Sequence, residues 1–596
     1  MATAKDSAAG LASFNITVGG TALNDTYQVL SISVEKGINA IGTARIEIAD
    51  GEPDTAEFTA TDSDTFAPGS PIAISLGYDN ENKEIFSGIV TGFQLVSREP
   101  EGVMLLVSCK DKAVALTSLR QTRAFKTQLV SDTITEILGN YTGLTPTITA
   151  TTDLETAVQR DVTDWDYIVT RAEANGHFVV SDGGAFKTIK PTTTGSPALA
   201  LEYGTNVYSF ALRVDARTQV GAVTAQSWSL DTGKDLSVTA AAPALATPGN
   251  LKSSDLAAAV GQSAYQFYAP ADVEEAPLQK LADALLAKRT LALVQGTVEL
   301  PGTNVVPGSL VSLDRLSKRF NGNAFVAGVG HIVADGDWKT TLTLGLEEKW
   351  FAETKPDVSF SAENARVLTG SAGLCKGTVK AIQPDADGKY RVQVTVPDLN
   401  DAELWARLAQ PYATADAGLY FFPEVGDQVI VGFFGGASSS PVVLGSLYTK
   451  NRKPAYTPDD KNTKKAIVTN SKLTLEFDDD QKIITLKTPA GNTLVISDAD
   501  GGKGLTLTDQ QKNTIILSNE GVSILSKSTL SLKADQDITI ESTGGKISLK
   551  AAQDVALKGL NVSAQADASL TLKGTASAEL SASGATTVKG VVVMIN

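Results

Sequence analysis

Ser528-Thr-Leu-Ser-Leu-Lys-Ala-Asp-Gln-Asp-Ile-Thr-Ile-Glu-Ser-Thr-Gly-Gly-Lys-Ile-Ser-Leu-Lys550 holds three apolar pairs, Leu530/Leu532, Ile538/Ile540 and Ile547/Leu549. A pair at i and i+2 falls on one face of a strand. Outward from this stretch the pair returns as Val522/Ile524, Val555/Leu557, Val562/Ala564, Leu570/Leu572, Ala578/Leu580 and Thr586/Val588. The first and last pairs start 64 residues apart, which makes eight octads. Lys533, Lys550, Lys558, Lys573 and Lys589 each follow a second apolar residue. A short strand repeated at a fixed step predicts a β-solenoid. Such a strand has one apolar face and no core of its own, so it must close a ring with others. Three octads also suffice for one coil of a single-chain β-helix, and periodicity alone leaves both arrangements open. Upstream, over 473–517, the step lengthens to ten or eleven residues: Leu473/Leu475, Ile484/Leu486, Leu494/Ile496, Leu505/Leu507 and Ile515/Leu517. The rod thus has two segments of different strand and turn length.

The chain has 596 residues, enough for several domains. Aromatic residues make up only 6% while Gly, Ser, Thr and Ala abound, a balance that suits strands and turns. The net charge of −16 and the absence of a basic patch argue against nucleic-acid binding. Cys109 and Cys375, the two cysteines, form no CxxC and read as buried thiols of a protein made in the cytoplasm. Met1 to Phe14 has no apolar core of signal-peptide length, and no stretch reaches the ~20 apolar residues of a membrane span.

Period-two alternation marks strands at Phe14–Val18, Val29–Val34, Ala44–Ile48, Ile72–Leu76 and Val103–Val107, an antiparallel barrel or sandwich. Helices are expected from Ser131 to Leu138, from Asp164 (as N-cap) to Ala174, and from Pro277 to Thr290 with Leu278, Leu281 and Leu285 on one face. Strands resume over 291–346. Residues 352–372 and 449–463 read as linkers around a compact β unit, Cys375 to Tyr448.

That unit holds Trp405-Ala-Arg-Leu-Ala-Gln-Pro-Tyr412, Gly418-Leu-Tyr-Phe-Phe-Pro-Glu-Val-Gly-Asp427, Val429-Ile-Val-Gly-Phe433 and Pro441-Val-Val-Leu-Gly-Ser-Leu-Tyr448. In this order and spacing the motifs resemble the OB-fold of VgrG-type spike proteins of contractile injection systems, type VI secretion and myovirus baseplates. Asp164-Trp-Asp-Tyr-Ile168, Pro307-Gly308, Arg319-Phe-Asn-Gly322 and Trp338-Lys-Thr-Thr341 look like parts of the family's hub, and Pro489 to Ser497 like the start of its needle. The early region looks closest to spikes of phage-like, free-standing particles.

The resemblance implies a mainly β homotrimer: a hub of β-barrel units with a few helices over 1–365, an OB-fold collar over 373–450, and a triple-stranded β-helix or prism needle over 464–596. The needle core is expected at Val522, Ile524, Leu530, Leu532, Ile538, Ile540, Ile547, Leu549, Val555, Leu557, Leu570, Leu572, Leu580 and Val588. The apolar run Val591, Val592, Val593, Met594 and Ile595 is expected to dock a PAAR-type tip protein as well as to close the trimer core. Inner tube and baseplate proteins are the other implied partners, and the target membrane is met only during puncture. The protein is expected to be made in the bacterial cytoplasm and built into a released or anchored particle.

No chemistry is expected. His177 and His331 have no metal-ligand partner at helical or strand spacing, and no Gly-x-Ser-x-Gly, Walker or HExxH motif occurs. Gly501-Gly-Lys-Gly504 reads as a hairpin turn, and Asp478-Asp-Asp480 as a solvated one. The linker 449–463 is too short for an inserted enzyme, and a spike without fused cargo is expected. The expectation is therefore a structural protein without catalytic site, cofactor, metal or nucleic acid. The alternatives are an envelope-degrading enzyme borne on the spike, and a single-chain β-helix adhesin. Phe421-Phe422-Pro423 fits a loop packed on a neighbour or a plain core corner.

Overall fold

The structure is a computed structural model, and it describes residues 10–52, 54–99, 102–229, 232, 234–269, 273–354, 373–382, 385, 388–436 and 439–595. The expected linker 352–372 and the end of the expected hub lie, from residue 355 on, outside the described residues, as do residues 1–9 of the expected leaderless start. Strands hold 41% of the described residues and helices 12%, a mainly β fold. It divides into two compact units, Met1–Pro454 and Ala455–Asn596.

A single thirteen-stranded sheet dominates the first unit. All five strands expected before residue 118 belong to it. Its two halves, residues 12–110 and 199–344, join where Val29–Gly37 pairs antiparallel with Gly322–Ala334, His331 lying opposite Val34. Two apolar cores result, one around Ile46, Ile74 and Phe86, the other around Leu201, Val298 and Leu342. The longest strand, Glu81–Arg98, was invisible to alternation. Its second half is mostly exposed on both faces, and bulges break its register at Ile85, against Ile74/Ser75 of the neighbouring strand, and at Thr91.

Helix Asp164–Ala174 has Thr163 as its N-cap, not the expected Asp164. The Thr163 hydroxyl accepts the Asp166 N–H at 3.1 Å, while Asp164, one residue on, is fully buried. Its carboxylate accepts from Arg123 Nη2 (2.9 Å), Tyr141 Oη (2.6 Å) and Gln159 Nε2 (2.7 Å), so the sequence motif serves a buried polar knot. Helix Glu275–Leu291 buries Leu278, Leu281 and Leu285 as expected. A further short helix, Ser253–Ala259, buries only Ala257 and left no periodic signal.

Five strands, Cys375–Ala381, Val392–Val396, Ala402–Leu408, Gln428–Phe433 and Pro441–Leu447, close into a barrel. Its core includes Val379, Val394, Ala406, Val431 and Val443. Val158, from the distant strand Leu154–Thr163, which pairs with Arg120–Leu129, completes that core.

His331 is 3% exposed and pairs through Nδ1 with Thr340 Oγ1 at 3.1 Å. Burial, then the charge of Lys36, pushes its pKa down to about 3. A histidine kept neutral stabilises fully above its unfolded pKa of 6.5, and that contribution is lost as pH falls towards 3. Between pH 6.5 and 5 the loss is expected to be about 2 kcal/mol. His331→Gln should flatten this arm of a stability–pH curve; an unchanged slope in urea titrations would show that His331 does not titrate on unfolding.

The second unit begins as a seven-stranded antiparallel meander, Lys464–Val468, Thr474–Asp478, Ile483–Lys487, Thr493–Ser497, Gly504–Thr508, Thr514–Ser518 and Gly521–Leu525. Three of its turns repeat one design. The Thr469 N–H donates to the Leu473 carbonyl, the Lys472 N–H to the Thr469 carbonyl, and the Leu473 N–H to Thr469 Oγ1. Thr488/Gly491/Asn492 and Asp509/Lys512/Asn513 do the same. The fourth residue is left-handed in each: Lys472 at φ 68°, Gly491 at 95°, Lys512 at 69°. A Cβ there is strained, so Lys472→Gly and Lys512→Gly should each stabilise this sheet by about 0.5–1 kcal/mol. A higher urea midpoint for the sheet's amides in hydrogen exchange is the check.

Candidate functional site

The meander's register sorts its side chains onto two unlike faces. Ile467, Leu475, Leu486, Leu494, Leu507, Ile515 and Ile524 stand directly opposite one another across all seven strands. Lys465, Phe477, Ile484, Ile496, Leu505, Leu517 and Val522 form a second row two residues away, on the same face. Thirteen of these fourteen positions are apolar, so the face is one hydrophobic plane. Eleven of the thirteen are more than a third exposed within the single chain. The opposite face is mostly Thr, Ser, Lys and Glu, including Glu476, Thr485, Thr506 and Thr508.

Past Leu525 the chain changes character. Among the described residues, 526–595 form no strand with their own chain. The expected core residues Leu530, Leu532, Ile538, Ile540, Ile547, Leu549, Val555, Leu557, Leu570, Leu572, Leu580 and Val588 are each more than half exposed. Val591, Val592, Val593, Met594 and Ile595 are exposed too. Val522 and Ile524, read as the first octad, instead form the meander's last strand. The pair read as Leu473/Leu475 is Leu475/Phe477, because Leu473 closes the preceding turn. Sequence reading missed the first strand with Ile467. Its signal, Lys464-Lys-Ala-Ile-Val468, follows the linker without a full alternating pair.

Elsewhere the chemistry-bearing residues have structural partners. Burial, the largest effect, lowers the pKa of His177, whose backbone N–H donates to the Ala172 carbonyl. Both thiols are buried and free; burial pushes Cys109 up to about 12 and raises Cys375. Asp478 accepts from the Gln481 N–H and, with Glu476, pairs with Lys464. Gly501-Gly-Lys-Gly504 begins in the expected hairpin turn. Among the described residues no group of three or more His, Cys, Asp and Glu could hold a metal. No helix among them is long and apolar enough to cross a membrane. Phe422 packs against the barrel core, while Tyr420 and Phe421 of the same loop are 84% and 54% exposed, so only one of the three aromatics serves as a core corner.

Residues 8–335, more than half the chain, match the family described as the Alg8 N-terminal domain. The chain belongs to this family. Residues 375–448, the closed barrel, match the Type VI secretion system/phage-baseplate injector OB domain. Among curated relatives, the actin cross-linking toxin VgrG1 of Vibrio cholerae is 22% identical over 202 residues, covering 33% of this chain and 17% of the toxin. The type VI secretion system spike protein VgrG5 of Pseudomonas aeruginosa is 34% identical over 100 residues, 16% of this chain and 12% of that protein. The chain thus spans less than a fifth of the length of these relatives. The solved Francisella PdpA-VgrG complex aligns with a TM-score of 0.50 at 9% identity, over 87% of this chain and 81% of that one, which shows a shared fold. The Alg8-family chain thus resembles VgrG-type spike proteins in its barrel domain and in its fold.

Proposed function

We propose that the chain is the structural spike of a contractile injection machine, working as a homotrimer that punctures a target envelope. The single observation that carries this is the unburied apolar surface of residues 464–595: a hydrophobic plane followed by octads whose apolar pairs stay mostly exposed and form no strand ladder in their own chain. A soluble monomer rarely leaves so much contiguous apolar surface in water. Copies of the same chain offer strands of the same length, spacing and apolar face. A single-chain β-helix would place ladders within 526–595, so the trimer is the better reading. In it, residues 1–365 serve as hub towards an inner tube and baseplate, 373–450 as an OB-fold collar, and 464–596 as needle. The needle core is formed by the octad pairs named above. The work comes from contraction elsewhere, and the spike carries no hydrolytic activity. Native mass spectrometry should give three times the chain mass of 62.3 kDa; a single-chain species would overturn the proposal.

We also assign Val591–Ile595 as the seat of a PAAR-type cap, supported by five consecutive exposed apolar residues. Deleting residues 591–596 should leave the trimer intact while a pull-down loses the cap. Wild-type capture by the shortened chain would move the seat elsewhere.

A further inference from the structure

We propose that the meander Lys464–Leu525 sets the three copies in register, and that residues 526–595 wind only upon the trimer it has formed. The inference rests on the trimeric reading above. It comes from a difference in what the two segments still need.

Each inner strand of the meander is hydrogen-bonded on both sides by its own chain. Its backbone is satisfied before any partner arrives, and only its apolar plane remains open. Thirteen part-exposed large side chains make this plane roughly 900 Å², against the ~800 Å² per partner of a stable interface. The occupant is a further copy of the same chain. The plane's one charged position, Lys465, is already paired with Asp479 of its own sheet. The plane also ends on Val522 and Ile524, the pair whose spacing the octads continue, so whatever covers it must run on alongside them.

The octads lack both kinds of partner. Residues 526–595 have neither a strand ladder nor a buried apolar residue within the chain. Three such segments would have to meet in one register before any of their strand hydrogen bonds formed. Tethering them to an assembled meander makes that meeting intramolecular, with an effective concentration on the order of millimolar.

The test compares two variants of the full chain by native mass spectrometry and hydrogen exchange. Leu494→Asp/Leu507→Asp puts charges on directly opposed positions of the plane. Ile538→Asp/Ile540→Asp puts them on one octad pair. The octad variant should remain trimeric with the meander protected, while octad amides exchange at least ~100-fold faster. The meander variant should lose octad protection although its octads are unaltered, while Val392–Val396 of the barrel stays protected as proof of folding. The inference is overturned if the octad variant dissociates, or if the meander variant keeps its octads protected. A wild-type chain that measures as a monomer would instead defeat the spike proposal itself.

Discussion

Lys288→Met is expected to destabilise the first unit by about 3–5 kcal/mol, and more at pH 8 than at pH 5. Lys288 and Glu173 are both buried and form an ion pair, and Glu173 also accepts the Phe351 N–H at 2.6 Å. Burial raises the Glu173 pKa above its ordinary 4.5, while the Lys288 charge opposes the rise. Without Lys288 the carboxyl rises further. A carboxyl raised on folding stabilises below its unfolded pKa, and that contribution fades as pH climbs through the folded value. The deficit of the variant should therefore be smallest near pH 4.5 and grow upward. Urea titrations at several pH values measure it; a deficit independent of pH would mean that Glu173 is not left charged and alone.

Asp164→Ala should produce a loss of similar size, about 3–5 kcal/mol, for a different reason. Three donors converge on this carboxylate, and Gln159 is fully buried beside it. Alanine leaves a guanidinium, a phenol and an amide without their acceptor. Tyr141 gives a second readout. Burial, then the hydrogen bond to Asp164, pushes its hydroxyl up to about 12. In the variant the second cause is gone, so ultraviolet titration should show it ionising at lower pH. A Tyr141 titration that does not move would refute the knot.

Sequence reading reached furthest where burial has a simple period. The first-half strands alternate cleanly because one face is core and the other is water, as in Thr43–Ala49. Helix Glu275–Leu291 was legible from its leucines for the same reason. Glu81–Arg98 was not, because bulges and an exposed second half erase the alternation. Thr163 was overlooked beside Asp164 because both can cap, and only packing shows which one is needed elsewhere. Over residues 464–595 the apolar pairs were plain, but their partners were not. A pair at i and i+2 looks the same whether its neighbour is the next hairpin or another chain. Hence Val522 and Ile524 were read with the octads, although their hydrogen bonds lie in the meander.

Val158 sits in the barrel's core, yet it comes from a strand far earlier in the chain. The order of synthesis then matters. Val158 leaves the ribosome roughly two hundred residues before the barrel strands, in a chain whose domains fold from the N-terminus as they emerge. This two-stranded sheet must wait with an apolar side chain uncovered until the barrel closes over it. The barrel, in turn, has no complete interior until it meets that strand. Closure of the barrel thus depends on the earlier half of the chain, since a misplaced Leu154–Thr163 strand would leave the barrel core without Val158.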